Sequence, residues 1–324
     1  MTPSDMYSAG PPHTFTIATN SLAESRLFYE TGWGLRVVGP VAIAADVEVA
    51  QRKLWSMPPD IHWTTYLLVR DQVDYAVQLR LLVLDRTTPA YRSSWHPTGL
   101  GPYTIGFPNR RQEEIDVEMR RLGFGALNAL ERTDFVTPEG RRYDIVETVH
   151  TGPDFIAGVG VARSAAEPGI TPLNAAGVGG PGYSMMIVDD VEPMVRFMTE
   201  VIGYRVRTRK LWKSTGSKGA LNVPDGTEFD FAQLAPPDQP YGFLVFIAYR
   251  NLATTPPTAP PRLPSRGLVL YSIHVSDLDA VLSRARACGV TSIVGPVTAR
   301  VPGIDGTRFA TVVAPNGVMF ELFQ

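Results

Sequence analysis

The sequence contains one cysteine, Cys288, among 324 residues. A single cysteine cannot form an internal disulfide, so we expect a reducing compartment and predict a cytoplasmic protein. Because Cys288 lies in the last turn of a predicted helix, we interpret it as buried filler rather than as a nucleophile.

Long apolar runs are also missing. No uninterrupted apolar stretch reaches the roughly 18 residues that a membrane span requires, and the N-terminal segment MTPSDMYSAGPPH lacks the basic and apolar regions of a signal peptide. We therefore expect neither a membrane anchor nor a signal peptide. The net charge of −2, with dispersed charges, argues against a nucleic-acid-binding surface. The expected partner is a small molecule, and a homo-oligomer stays open.

The segment from Tyr271 to Gln324 shows the repeating unit of the chain. YSIHV is a short β-rich run, and Asp277 is a candidate N-cap for a helix that has apolar residues at i, i+3, i+4 and i+7 and that Gly289 ends. Two strand-like runs then flank the Asn316-Gly317 pair, which is a strong hairpin signal. The pattern predicts a β-α-β-β-β module.

The same pattern occurs four times, so an internal repeat organises the chain. We place modules one and two in residues 1–150 and modules three and four in residues 183–324. Residues 151–182 are rich in Gly, Ala and Pro, which predicts a linker between two domains. The tetrapeptide RKLW recurs at residues 52–55 and 209–212, at equivalent places of modules one and three, and this supports duplication of a two-module domain.

The V-x-D-L helix entry, the helix exit at a glycine, and the stretch PNGVMFEL with Glu321 resemble the vicinal oxygen chelate superfamily. That superfamily holds glyoxalase I, bleomycin and fosfomycin resistance proteins, and type I extradiol dioxygenases. The resemblance implies an α+β fold of four βαβββ modules in two tandem domains. It further implies that two modules pair so that their curved sheets enclose a cleft, with metal ligands on the first and last strands.

The metal-ligand positions implied by this resemblance hold few suitable side chains. The usual His stands seven residues before the residue that opens the helix. In modules one to four these positions are Thr14, Thr104, Tyr183 and Leu270. The usual Glu stands four residues after the hairpin glycine, which gives Glu321 and, in module two, Asp144. A catalytic metal needs about three protein ligands, so we predict no metal site. A divalent Fe, Mn or Zn ion at His274 and Glu321 is the alternative.

A different polar set shares strand faces in the second half. Strand residues alternate faces, so Ser272 and His274 share one face, as do Met319 and Glu321. We predict His274 as acid or base, Glu321 as its orienter, and Tyr183 from the paired module as a hydrogen-bond donor. Ser272 and Met319 are predicted to contact substrate. The alternative is structural: a hydrogen-bonded His274 at a strand end, and a Glu321 carboxylate paired with backbone or an arginine.

Arg209, Lys210 and Trp212 are predicted to line the mouth of the second cleft and to bind an anionic or aromatic substrate. The alternative is a core tryptophan beside two cations that guard a strand edge. In the first half, Arg142 next to Asp144 suggests an internal ion pair with a structural role.

Three functions remain open at this stage. The first is a small-molecule enzyme, of lyase, isomerase or hydrolytic type, that transfers protons on an aromatic or carbonyl-bearing metabolite without the usual metal triad. The second is a metal-dependent enzyme resembling the extradiol dioxygenases with displaced ligands, although Thr311 stands where their tyrosine does. The third is a protein that binds a small molecule without turnover, like the drug-resistance members.

Overall fold

The computed structural model describes residues 9–73, 75–136, 140, 142–164, 172–216, 221–237, 239 and 241–324. The strands of module one are β1 (Ala9–Thr19), β2 (Arg36–Val38), β3 (Trp63–Val69) and β4 (Gln78–Leu84). Those of module two are β5 (Gly101–Asn109), β6 (Glu131–Val136), β7 (Arg142–Thr151) and β8 (Ala157–Arg163). Module three has β9 (Tyr183–Ile187), β10 (Arg205–Lys213), β11 (Glu228–Ala235) and β12 (Phe243–Tyr249). Module four has β13 (Gly267–Val275), β14 (Ile293–Thr298), β15 (Arg308–Val313) and β16 (Met319–Phe323).

Each module carries one helix after its first strand, and module one has a second helix. The helices are α1 (Leu22–Ser25), continued as a π-helix (Arg26–Gly32), α2 (Ala45–Leu54), α3 (Gln112–Arg121), α4 (Val191–Arg196), continued as a π-helix (Phe197–Ile202), and α5 (Leu278–Ala287). A 3₁₀ turn covers Pro153–Phe155. None of the helices in the described ranges has the length and apolar composition needed to span a membrane.

Local sequence signals set the helix ends. The side chains of Ser21, Asp190 and Asp277 accept hydrogen bonds from backbone N–H groups of the first helical turn, as N-caps do. Gly203 and Gly289 follow the helices at φ +93° and +80°, a conformation that costs glycine least. The predicted helix start at Asp277 and the predicted helix end at Gly289 are confirmed.

The modules pair in the order one with four and two with three. The first sheet has the strand order β14-β15-β16-β13-β1-β4-β3-β2, and the second has β10-β11-β12-β9-β5-β8-β7-β6. Antiparallel pairing of β1 with β13 and of β5 with β9 joins the modules. Residues 1–150 and 183–324 therefore do not each form a sheet of their own, and the predicted pairing of neighbouring modules is wrong. The repeat alone does not determine which modules pair through their first strands. Packing between segments that are distant in the sequence determines this pairing.

The predicted linker, residues 151–182, contains the last strand of module two. β8 lies between β5 and β7, in the middle of the second sheet. Its Gly158 and Gly160 are there because a β-carbon would lie 2.6 Å from the Trp33 ring and 1.9 Å from the Gln112 side chain. The small residues that suggested a linker are thus a packing requirement of a buried strand. The prediction of a linker is therefore wrong for residues 157–163, and residues 165–171 of it lie outside the described ranges.

The two copies of RKLW have different structures. Residues 52–55 end α2 and cap it, whereas residues 209–212 lie in the edge strand β10. The prediction that they occupy equivalent places is therefore wrong. In module one an α-helix follows the short β2, and this helix packs on the sheet instead of extending it.

Each sheet has one face covered by helices and one face that we call its cleft. Apolar residues of α4 and α5 join the main core with Phe15 of the first sheet and Phe246 of the second. The cleft faces form two smaller apolar clusters. In the first cleft, Leu54 and Trp55 at the end of α2 cover the sheet. In the second cleft, the covering residues come from the loop after β10, and include Leu221 and Val223.

Cys288 is exposed, so its interpretation as buried filler is wrong. It caps the end of α5, where the helix face that packs on the core has already ended at Ala285. Its Sγ lies 3.7 Å from a carboxylate oxygen of Glu200. Partial desolvation at the helix end, then that carboxylate, raise the pKa of the thiol.

Candidate functional site

The centre of the first cleft is a closed polar cluster around Glu321. Arg80 Nη2 lies 3.0 Å from Glu321 Oε2, and the Ser272 hydroxyl donates to the same oxygen at 2.7 Å. Trp55 Nε1 donates to the other oxygen, Oε1, at 2.8 Å. The side chains of Arg80 and Glu321 are 1% and 0% exposed. The carboxylate is therefore held by three donors in a region that solvent does not reach.

Helix α2 closes this cluster from above. The indole of Trp55 also lies under the Arg80 guanidinium, 4.9 Å from ring centroid to Cζ. The Thr311 hydroxyl donates to the carbonyl oxygen of Leu54 at 2.6 Å, which ties the end of α2 to β15. Met319 is buried and lines a cavity of about 330 Å³ beside Trp55. The predicted site residues Ser272, Glu321 and Met319 thus belong to a packed interior.

His274 lies at the rim of the first cleft. It is exposed, and its ring contacts the edge of Phe323 at 5.5 Å between centroids. His13 contacts the same phenyl ring at 5.4 Å, and both histidines line a cavity of about 540 Å³ at this end of the strands. Burial, then the charge of Arg80, lower the pKa of His13.

The structure does not assemble the predicted set of His274, Glu321 and Tyr183. Glu321 has its oxygens occupied by other partners, and Tyr183 lies on β9 of the other sheet. The physical reason is the pairing of modules, because module four shares its sheet with module one rather than with module three. His274 and Glu321 do share the cleft face of the first sheet, two register positions apart.

The residues of the first cleft do not fit a metal ion. The strands that would supply ligands carry Thr16, Arg80, Ser272 and Glu321 at neighbouring register positions. Arginine cannot ligate a metal, and one carboxylate falls short of the usual set of about three ligands. Within the described part of the chain, no three His, Cys, Asp or Glu side chains are grouped as metal ligands.

The equivalent positions of the second sheet are apolar. Counted from the helix N-caps, Tyr183 corresponds to Thr14 and Thr104 to Leu270. The register then places Val245 where Arg80 stands and Val159 where Glu321 stands. Asp144 is not the equivalent of Glu321, as the sequence had suggested, because it lies on β7 and the last strand of module two is β8.

The second cleft is lined by half-exposed apolar and aromatic side chains. The Tyr183 ring stacks on Phe243 at 4.7 Å with an interplanar angle of 10°. It lies across β5 at Gly106, where a β-carbon would come within 2.0 Å of the ring. Met185, Val161 and Phe231 border the same face and are partly exposed. The glycine therefore makes room for an aromatic wall in an accessible cleft.

Glu147 contributes a carboxyl group to this cleft. It lies on β7 opposite Val161, on the face that also carries Val149 and Arg163. Burial raises the pKa of Glu147 to about 7, although the charge of Arg163 opposes the shift. Burial and the charge of Glu147 also raise the pKa of the Tyr183 hydroxyl. The carboxyl, the guanidinium and the phenol are thus electrostatic neighbours on one wall.

Glu147 is not among the site residues predicted from the sequence. The signal was present in the stretch DIVETVH, where alternation places Glu147 on one face with Tyr143 and Val149. It was hidden because Asp144 was aligned with Glu321, which gives that strand the wrong role. Once β8 is recognised as the last strand, β7 becomes its neighbour and Glu147 faces the cleft.

The three predicted residues of β10 divide between two faces. Lys210 and Trp212 stand opposite Phe231 and Phe229, and so they lie on the cleft face at its edge. Their side chains contact each other, with Lys210 Nζ 5.6 Å from the indole centroid. Arg209 points to the helix face and forms an ion pair of 2.9 Å with Glu192. Arg209 is therefore not part of the cleft.

Asp144 pairs with Arg132 rather than with Arg142, its predicted partner. The Ser164 hydroxyl and Arg132 hold the pKa of Asp144 below its ordinary value. Asp144 and Glu147 are three residues apart on β7 and so face opposite sides of the sheet. The structural role expected for Asp144 agrees with this placement on the helix side.

Known proteins agree with this architecture. Residues 180–322 match the model of the Glyoxalase/Bleomycin resistance protein/Dioxygenase superfamily. Glyoxalase I from Zea mays is 14% identical, with a TM-score of 0.63 over 99% of this chain and 94% of that chain. A proposed dioxygenase from Bacillus subtilis is 11% identical, with a TM-score of 0.55 over 98% of this chain and 85% of that chain. No curated protein sequence matches the chain.

At identities this low, the structural similarity establishes the fold only, and the activity has to be inferred from the residues of the site. The two eight-stranded sheets, the four βαβββ modules and the match of the second half agree with one another. The chain has the tandem vicinal oxygen chelate fold, and its residues 180–322 match the model of the Glyoxalase/Bleomycin resistance protein/Dioxygenase superfamily.

Proposed function

We propose that the protein is a small-molecule enzyme that transfers protons on an aromatic, carbonyl-bearing substrate in the second cleft, with Glu147 as the acid/base group. The observation that carries the proposal is the position of this one carboxyl, whose pKa is about 7, on the wall of a half-exposed aromatic cleft. Apolar concave sites that contain a few polar groups with shifted pKa values are the usual places for ligands and catalysis.

The walls favour a planar substrate. Tyr183 and Phe243 form a stacked aromatic surface, and Met185 beside them is also partly exposed. An aromatic ring bound there would gain stacking of about 0.5–1.5 kcal/mol beyond its apolar burial. Lys210 at the edge of the cleft could hold an anionic substituent.

Glu147 is suited to exchange protons near neutral pH. A group with a pKa of about 7 is present in both protonation states, so it can accept a proton from a substrate and return it. Removal and return of a proton on the carbon next to a carbonyl is a reaction that requires such a group. The Tyr183 hydroxyl, whose pKa is raised, stays protonated and could donate a hydrogen bond to the carbonyl oxygen. Arg163 would stabilise the charged form of Glu147 during the transfer.

A panel of aryl ketones and aryl keto acids tests the proposal. Each compound is incubated with the protein in D₂O, and exchange of the proton next to the carbonyl is followed by proton NMR. Glu147→Gln should lower the exchange rate by about 10²–10⁴-fold, the usual contribution of general acid/base catalysis. Asp144→Asn is the matched control, because its carboxyl lies on the same strand but on the helix face, and it should retain the wild-type rate.

Two outcomes would contradict different parts of the proposal, one the location of the site and the other the catalytic activity. If His274→Ala abolishes exchange and Glu147→Gln does not, the second cleft is the wrong site. If panel members raise the melting temperature without being exchanged, and Phe243→Ala removes that stabilisation, the protein binds aromatic molecules in the second cleft without turnover. The apolar walls favour this binding function as the second candidate.

A further inference from the structure

We infer that the Arg80 guanidinium is the built-in cation of the first cleft and takes the place that a metal ion would need. Arg80 comes from the last strand of module one and Glu321 from the last strand of module four, and these strands flank the β1–β13 join at the middle of the first sheet. The inference concerns this sheet alone and does not depend on the chemistry proposed for the second cleft.

Three side-chain oxygens around Arg80 already accept hydrogen bonds from its guanidinium. Arg80 Nε donates to Thr16 Oγ1 at 2.9 Å, and Nη2 lies 3.4 Å from Ser272 Oγ and 3.0 Å from Glu321 Oε2. These three oxygens would be the ligands of a cation at this point. A metal ion would therefore have to displace the guanidinium, or lie a few ångströms from it and be repelled in a region of low dielectric.

The hydrogen bonds that the Glu321 carboxylate accepts support the same arrangement. Glu321 Oε2 also accepts from the Ser272 hydroxyl, and Oε1 accepts from Trp55. A buried carboxylate is costly unless a cation and further donors satisfy it. Arg80, Ser272 and Trp55 supply those groups without a metal. The planar guanidinium also lies against the Trp55 indole, an arrangement that a hydrated metal ion would not adopt.

The guanidinium joins distant parts of the chain. Arg80 belongs to module one, Ser272 and Glu321 belong to module four, and Trp55 follows the helix that covers the cleft. A cation that cross-links strands is a role that a structural metal can perform. Here a side chain of the protein performs it, so the first sheet should be complete without any bound ion.

Metal analysis and chemical rescue test the inference. Wild-type protein produced with Mn, Fe and Zn present should carry no stoichiometric metal that depends on Glu321. Arg80→Ala should lower the melting temperature by about 5–10 °C, because it leaves the buried carboxylate without its cation. Ethylguanidinium at about 10 mM should restore part of the loss in Arg80→Ala and leave the wild type unchanged. Val245→Ala, the equivalent position of the second sheet, is the control and should show no rescue.

A second variant keeps the test decisive if Arg80→Ala does not fold. The double variant Arg80→Met with Glu321→Leu removes both charges together and should melt closer to wild type than either single variant. Stoichiometric metal in the wild type that Glu321→Gln removes and Asp144→Asn retains would overturn the inference. So would a double variant that is no more stable than the single variants, or a failure of ethylguanidinium to stabilise folded Arg80→Ala.

Discussion

On the cleft face of the first sheet, the central register positions carry Arg80 and Glu321, whereas the same positions of the second sheet carry Val245 and Val159. The charged pair is closed off by Trp55 and helix α2. The valines lie in a cleft whose other walls, such as Phe243, stay partly exposed. One duplicated framework has thus produced one cleft whose centre holds a charged pair of the protein and one cleft whose apolar walls stay partly exposed.

A charged residue in a cleft is therefore not sufficient evidence of a catalytic site. Glu321 looks catalytic from its place in the sequence, yet its oxygens are occupied by donors of the protein. Glu147 has no resemblance to support it, yet its environment leaves its pKa near 7. Accessible surface and incomplete charge compensation separate the candidate site from the structural pair.

The largest expected effect comes from removing each carboxylate in turn. Glu321→Gln should lower the free energy of unfolding by about 3–5 kcal/mol, because Arg80 is left buried without its counter-charge. Glu147→Gln should change it by less than about 1 kcal/mol at pH 6, because an amide replaces a partly protonated carboxyl of similar shape. Urea unfolding of both variants measures this. Equal decreases in the free energy of unfolding for the two variants would contradict the assignment of Glu321 to a buried structural pair and of Glu147 to an accessible cleft.

The second-largest effect should be a difference in the stability lost when each tryptophan of the repeated RKLW tetrapeptide is replaced. Trp55 is 0% exposed and donates to Glu321, whereas Trp212 is 40% exposed at the sheet edge. Trp55→Phe should cost about 1.5–3 kcal/mol of stability, the usual value of a hydrogen bond to a charged group. Trp212→Phe should stay within about 0.5 kcal/mol. Thermal unfolding of the two variants compares them directly, and a larger loss at Trp212 would contradict the assigned environments.

The stability of the protein should depend on pH through Glu147 of the second cleft. The pKa of Glu147 rises from 4.5 in the unfolded chain to about 7 in the folded protein, so the folded state binds more protons between these values. Its contribution is therefore complete below pH 4.5 and is lost as the pH rises through 7. We expect a loss of about 1–2 kcal/mol, discounted for partial exposure. The difference between wild-type and Glu147→Gln unfolding curves, measured from pH 4.5 to 8, isolates it, and a flat difference would refute the raised pKa.

The smallest effects concern neighbouring cations of β10. Arg209→Ala removes an exposed ion pair with Glu192 and should change stability by less than about 0.5 kcal/mol. It should leave the affinity for aryl keto acids unchanged. Lys210→Ala should weaken the binding of the acids by about 2–5-fold and spare the neutral ketones, because Lys210 lies on the cleft face. Titration calorimetry with both compound classes shows whether the two faces differ in this way.

Several features of the fold were predictable from local patterns. The N-caps Ser21, Asp190 and Asp277 and the hairpin at Asn316-Gly317 act within a few residues, so the sequence contains all the information needed. The four modules followed from these patterns, and the vicinal oxygen chelate fold was implied by the resemblance of the V-x-D-L helix entry and of PNGVMFEL. The predicted linker failed at β8, because glycines that admit Trp33 and Gln112 look the same as glycines that make a chain flexible.

The amino-acid order alone is enough to predict the module pattern, the helix ends and the α+β class, because each depends on residues that are close neighbours along the chain. Three other features become visible only in the folded chain. Module one pairs with module four, RKLW ends a helix in one place and forms a strand in the other, and Glu321 pairs with Arg80 while Glu147 faces a cleft. These outcomes depend on contacts between residues up to hundreds of positions apart, and burial and charge compensation are properties of those contacts.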